Sequence, residues 1–501
     1  MTVAYGESPA MLREEGFRAL ESRDFCNAVK LFSELAQVSP TAGNWAYLAI
    51  AESGAGDFGS SIKNYQRSIK LGDDSVLTRF GLATSYLQIG QPIAAVQQLR
   101  LALAHDPAYL PARYAMGLAL LRTDRPREAV PYLESVRKAS YGKSQYWLAL
   151  VQAQFAVGNA REAIRDTTEA SAALPADPEL ATALAQICSR HEQFDTARNL
   201  YETAFELQPG NSKVALMLAR VCLRTGDPGE ARDLLKTLPA NTGSPGEVKI
   251  LTSEASALTG NIAGAKSNLT LALAAAPGNP ACLIVSAWLD QLEGHYRRAL
   301  AILTGIHHAG AAEPDILYQE AVSYYFLGQN GLASSECAMM QRLSPRDSRA
   351  YFLLGLVRLS QGQLSAAQGA LKKAVALKPG ESTYCRELGV ALCRSERFRE
   401  CEAELNDALA LDPHSADGYY WRGRAQVHIG ESRKAIDSLR TAIALNPRLA
   451  VAYAELASLY SAEGDTQQAR EILNQEKKLA RSTPAAGVGS LLLGEPGAVI
   501  R

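Results

Sequence analysis

The sequence predicts an all-α solenoid of tandem helix–turn–helix units, and three observations predict it. Ala95, Ala129, Ala163, Ala197, Ala231, Ala265, Ala299, Ala333 and Ala367 recur with a fixed step of thirty-four residues. Between them, apolar residues follow the i, i+3, i+4, i+7 spacing of an amphipathic helix twice in each unit. Glycine and proline punctuate most units at the same two places, glycine separating the two helices and proline closing the second.

Taken in order, the array starts near residue 9 and its frame extends through Ala28 and Ser61, then past Ala367 to Cys401, Ala435 and Ala469, giving about fourteen copies. The copy from Ser348 to Pro379 shows the logic. Ala350, Tyr351, Leu354, Gly355, Leu356 and Leu359 form the apolar side of a first helix; Gln361, Gly362 and Gln363 make the turn; Leu364, Ala367, Leu371, Ala374 and Val375 give the second helix. Gly56, Gly90, Gly158, Gly226, Gly260, Gly294, Gly328, Gly430 and Gly464 repeat the turn, while Pro107, Pro175, Pro209, Pro277, Pro345, Pro413 and Pro447 repeat the stop. At the twentieth place a small residue is required, because there the second helix crosses close to the first.

Two joints are looser. The stretch Leu238 to Gly246 is rich in breakers and should end its helix early, as a longer turn or as a hinge between array halves 9–241 and 246–483. The second is His307 to Pro314. Residues 1–8 form a short leading segment, and 484–501 read as a flexible tail whose sticky element is Leu491, Leu492 and Leu493.

With Trp45, Leu48, Ala49, Gly56, Phe58 and Tyr65 in one copy, and Leu82, Ala83, Tyr86, Gly90, Ala95, Ala102 and Pro107 in the next, the chain resembles the tetratricopeptide repeat family over about residues 9 to 483. The resemblance implies a right-handed superhelix whose concave wall is made by first helices, with the fifth, ninth and twelfth places of each unit facing inward. These places share one helical face. Read along the chain, they and their neighbours gather Trp288, Tyr318, Val322, Tyr325, Phe326, Phe352 and Leu356 into an apolar, aromatic wall. Exposed, such a wall would mark a partner site; tight winding would instead bury it between neighbouring units. Arg386, Arg394 and Arg424, with His428, flank it on the C-terminal side, and Arg190, Arg220 and Arg224 on the N-terminal side. A peptide with an aromatic or aliphatic centre and acidic flanks would suit this pattern.

Composition excludes more than it assigns. Lys plus Arg at 51 against Asp plus Glu at 52 gives a net charge of −1, which offers no bulk attraction to nucleic acid, and the groove lacks the regular polar pairs of RNA-reading repeats. No stretch approaches the roughly 18 apolar residues of a membrane span, so direct membrane insertion is not expected. The eight cysteines lie scattered without a CxxC pair, as expected of small buried residues in a reducing compartment, so the chain reads as cytoplasmic.

No enzyme signature, cofactor site or metal site is legible. Gly260, Gly264, Lys266 and Ser267 have the wrong spacing for a phosphate loop. Cys385, Cys393 and Cys401 do not converge as zinc ligands, and His307 and His308, with Glu313 nearby, read as solvated loop histidines. The carboxylate-clamp residues of chaperone-tail binders and the asparagine ladder of sugar-transferase relatives are both missing. The sequence therefore points to a noncatalytic scaffold for protein segments. Its alternative is an accessory subunit of an envelope, secretion or polysaccharide-export and glycosyl-transfer assembly, and single-stranded RNA binding comes last. Self-association through the end repeats is open, because no strongly polar capping helix follows Arg481.

Overall fold

Every copy of the repeat folds as two helices joined by one left-handed residue. The computed structural model describes residues 8–239, 241–308 and 313–482, and among these the regular structure is helical with no strand. Twenty-nine helices run through the described residues, two per copy plus the four-residue helix Arg137–Ser140. Pro131 sits inside helix Pro126–Ser135, where it removes a backbone donor, and the helix ends four residues later.

Helix starts follow side-chain chemistry. Ser8, Asp24, Thr41, Asp57, Ser75, Asp177, Asn211, Asn261, Asn279, Asp347 and Ser415 each accept a backbone N–H of the following first turn. The hairpin turns are more uniform than their residues. Gly362 has φ +71°, and the same left-handed conformation is held at Arg23, Asp124, Glu192 and Glu396, where the repeat lacks its glycine. The closure explains why. The N–H after the left-handed residue reaches back five residues, as Gln363 does to the Arg358 carbonyl at 2.9 Å and Arg397 to that of Leu392 at 3.0 Å. This bond satisfies a helix-end carbonyl and requires the left-handed residue whatever its side chain.

The small twentieth-place residues, from Ala28 through Ser61, Ala95, Ala367 and Cys401 to Ala435, are fully buried. A second close approach lies at the eighth place: a Cβ added at Gly355 would stand 2.5 Å from Leu371 Cγ, and one at Gly389 2.7 Å from Leu405 Cγ. Two compact units result, Met1–Asp227 and Pro228–Arg501. In the first, Leu12, Phe32, Leu35 and Leu48 begin a core that each next hairpin extends. In the second, one continuous core runs from Ile250 through Tyr318, Phe352 and Leu388 to Ala425. Growth by addition of hairpins, rather than around one centre, is what a repeat array does.

The breaker-rich stretch does end its helix early, since Pro228–Thr237 has 10 residues against 14 in Ile262–Ala275. The unit boundary falls ahead of it, after Asp227. The expected leading segment, except for Ser8, and the tail from 484 on lie outside the described residues, as do 309–312 of the second joint.

Candidate functional site

The first helices set the geometry of the candidate face. In helices Pro280–Leu292, Pro314–Phe326 and Ser348–Ser360, the fifth, ninth and twelfth places fall on one side, and there the structure departs from the expected exposed wall. Trp288, Tyr318, Val322, Tyr325, Phe352 and Leu356 are all buried, with Val322 at 0% and Phe352 at 1% exposure; only Phe326 of the set is half-buried. They belong to the inter-repeat core. Phe352 stacks on Tyr384 of the next hairpin with ring centres 4.5 Å apart, Phe326 stacks on Tyr296 at 4.5 Å, and the Arg349 guanidinium lies 5.1 Å over the Tyr318 ring. Large side chains at these places fill the space between successive first helices, so the residues that looked most adhesive are consumed by the array itself.

Gln291 shows the same displacement of role. Its side chain is fully buried and its amide nitrogen donates to the Gln319 carbonyl and to Ser323 Oγ, both at 2.8 Å, tying one first helix to the next. Gln291 stands at a twelfth place, one of those the family resemblance turns inward, but register gives a residue's direction and not what stands opposite.

The arginines divide. Arg190, Arg220, Arg224 and Arg394 are exposed. Arg386 is drawn onto Glu387, whose carboxylate accepts at 3.1 Å, and Arg424 lies 5.2 Å over the Trp421 ring. Burial pushes the Glu387 carboxyl up, and Arg386 acts against that. Within the first unit, several apolar residues at the inward places stay partly accessible: Phe80, Tyr114, Leu118, Leu121 and Leu148 are half-buried, and Gln152 and Gln186 are exposed, whereas Leu87, Phe155 and Leu216 are buried. Here the first-helix face keeps solvent contact.

Four clusters escaped sequence reasoning. Arg137 donates to Asp166 at 2.8 Å, to Glu169 at 2.6 Å and to Glu134 at 2.9 Å, an ionic knot between two hairpins. His307, Glu320 and Glu336 bring one ligand atom each to within 4.8 Å of one another. His307 was expected to be a solvated loop residue, but it sits at a helix end with Nδ1 2.9 Å from Glu320 Oε2, and Glu320 is buried. The side chain of His308 lies outside those described. Asp290, Glu293 and His295 also converge, but Glu293 and His295 are exposed and Lys266 occupies Glu293 at 2.6 Å.

The fourth is a disulfide between Cys393 and Cys401, with Cα atoms 5.2 Å apart. It corrects the expectation of unpaired cysteines throughout. The twelfth place of a first helix and the twentieth of the second face each other across the hairpin, a pairing over eight residues that a search for CxxC overlooks. Cys26, expected to be buried, is exposed.

The comparisons with known proteins fit this architecture. Residues 114–180, 317–382 and 386–450, residues 189–253, and residues 450–482 match tetratricopeptide repeat families, together more than half of the chain. The cellulose synthase operon protein C of Pseudomonas fluorescens (strain SBW25) is 25% identical over a match covering 46% of this chain and 19% of that protein, so the chain spans only a minor part of its length. Among solved structures, a chain of the APC/C hetero-tetramer Cut9-Hcn1 is similar at 14% identity and TM-score 0.49, covering 90% of this chain and 96% of that one. MamA is similar at 24% identity and TM-score 0.31, covering 32% of this chain and 96% of its own. With the hairpin period, the left-handed turns, the buried twentieth place and these family matches in agreement, the chain belongs to the tetratricopeptide repeat family.

Proposed function

We propose that this protein is a noncatalytic scaffold that holds an acidic protein segment on the first-helix face of its N-terminal unit. The observation that carries the reading is the pairing, within one unit, of half-accessible apolar residues Phe80, Tyr114, Leu118, Leu121 and Leu148 with exposed Arg190, Arg220 and Arg224. Apolar side chains supply contact area, and arginines bind carboxylates through a planar pair of donors. The partner keeps the chemistry expected from the sequence, an apolar centre with an acidic flank, but its contact moves away from the buried wall around Tyr318 and Phe352. Arg394 stays available in the second unit, whereas Arg386 and Arg424 are engaged within the chain.

The test is a paired affinity purification from the native cell with wild-type chain and an Arg190→Glu, Arg220→Glu, Arg224→Glu variant, both checked by circular dichroism. A partner held by the wild type, released by rising salt and lost from the folded variant supports the reading. Retention of the same partners by the variant refutes it.

A second reading, the accessory subunit of an envelope or polysaccharide-export assembly, is favoured by the similarity to cellulose synthase operon protein C and by the Cys393–Cys401 disulfide. Disulfides persist in oxidising compartments and are rare in the cytosol, which weighs against the cytoplasmic expectation. Among the described residues no helix is long and apolar enough to cross a membrane. Cell fractionation with the thiols alkylated at lysis separates the readings: an oxidised chain in an envelope fraction supports the second, and a reduced chain in the cytosol the first.

A further inference from the structure

We propose that His307, Glu320 and Glu336 form a binding site for a divalent transition-metal cation that pins helix Tyr296–His308 to the following hairpin, Pro314–Phe326 and Asn330–Leu343. The repeat supplies an internal control. Arg137 and Asp166 occupy the places of His307 and Glu336 five repeats earlier, and there a guanidinium neutralises the buried carboxylate and two more besides. In the later copy the arginine is replaced by histidine, while Glu320 stands where the earlier copy has Leu150. The place has lost a permanent, five-donor cation and gained a carboxylate.

The consequence is visible in the hydrogen bonds. The His307 ring reaches Glu320 at 2.9 Å, whereas Glu336 Oε2 is buried and has no hydrogen-bond partner among the described residues. A buried carboxylate oxygen without a donor is costly, and a second carboxylate beside it raises the cost. A cation between the three groups removes both penalties. An imidazole nitrogen and carboxylate oxygens are ligand types that zinc, manganese and iron accept, and three protein ligands leave a position open for water. Ligand atoms about 2.0–2.2 Å from a tetrahedral zinc ion stand roughly 3.3–3.6 Å apart, so atoms within 4.8 Å of one another close on the ion by rotamer adjustments of about 1 Å. The three ligands come from three successive helices, so the ion would be a staple between neighbouring repeats.

The experiment uses the full chain, dialysed against chelator and titrated calorimetrically with zinc chloride, beside the His307→Gln and Glu336→Gln variants checked by circular dichroism. One equivalent of zinc in the wild type, with affinity weakened at least tenfold in each variant, is the expected result. No binding, or a loss in neither or only one of the variants, overturns the three-ligand site. A cobalt(II) absorption spectrum of the wild type gives an answer that does not depend on variant folding. Nitrogen and oxygen coordination without a thiolate charge-transfer band is expected, and a thiolate band would place the ion on cysteines instead.

Discussion

Replacing Phe352 by alanine distinguishes a structural aromatic wall from a recognition surface. The side chain is 1% exposed and stacks on Tyr384 at 4.5 Å with an interplanar angle of 25°, in the middle of the second unit's core. Truncating a buried phenylalanine costs about 3–5 kcal/mol, including the cavity left behind, of which the lost stacking accounts for about 0.5–1.5 kcal/mol. In a repeat array the loss is felt by nearest neighbours and not spread evenly. Helices Pro314–Phe326, Ser348–Ser360 and Ser382–Arg394 should therefore loosen together while Ala42–Gly54 and Val76–Gln88 stay unchanged. Native-state hydrogen exchange read peptide by peptide is the assay. A loss of about 3 kcal/mol accelerates exchange in the affected helices by roughly a hundredfold. Acceleration below tenfold, with the urea midpoint unmoved, would mean that Phe352 is free on the surface, and the aromatic wall would regain its standing as a partner site.

Other outcomes follow from the same geometry. Gly362→Ala places a Cβ at φ +71° and should cost about 1 kcal/mol in urea unfolding, whereas Glu396→Gly relieves a left-handed side chain and should gain roughly 0.5 kcal/mol; equal effects would refute the turn reading. Reducing the Cys393–Cys401 bond, which closes a loop of sequence separation 8, should lower stability by about 2–3 kcal/mol, and identical unfolding with and without reductant would argue against the bond. For Asp73, burial alone would raise the carboxyl, but hydrogen bonds from Thr78, Ser75 and Ser68 outweigh it and hold it below its ordinary range. Its stabilisation is complete above the unfolded value of about 3.9 and fades as pH falls through that value toward the lower folded one. Between pH 5 and pH 3, then, the thermal midpoint of wild type should drop more than that of Asp73→Asn, and parallel curves would count against the assignment.

The hairpin array was legible in the residues because its determinants are local and repeated. A turn glycine such as Gly362, a closing proline such as Pro379 and a small residue such as Ala367 act within one unit, and each recurrence reports the same constraint again. Even so, the left-handed turns at Arg23, Asp124, Glu192 and Glu396 escaped notice, because the hydrogen bond that imposes them belongs to the hairpin and not to a residue type. Exposure was decided elsewhere. Register put Tyr318, Phe352 and Gln291 on the first-helix face, but whether a neighbouring repeat covers that face depends on how closely successive first helices approach, which no single unit encodes. The pairing of Cys393 with Cys401 and the meeting of His307, Glu320 and Glu336 have the same origin: partners brought together across a turn or between hairpins by packing distances. Thus the sequence by itself determined the repeat, its helices and its class of fold, since those depend on contacts a few residues apart. Only the tertiary structure decided which faces are core, which arginines are exposed and which polar groups converge, since those depend on distances between repeats.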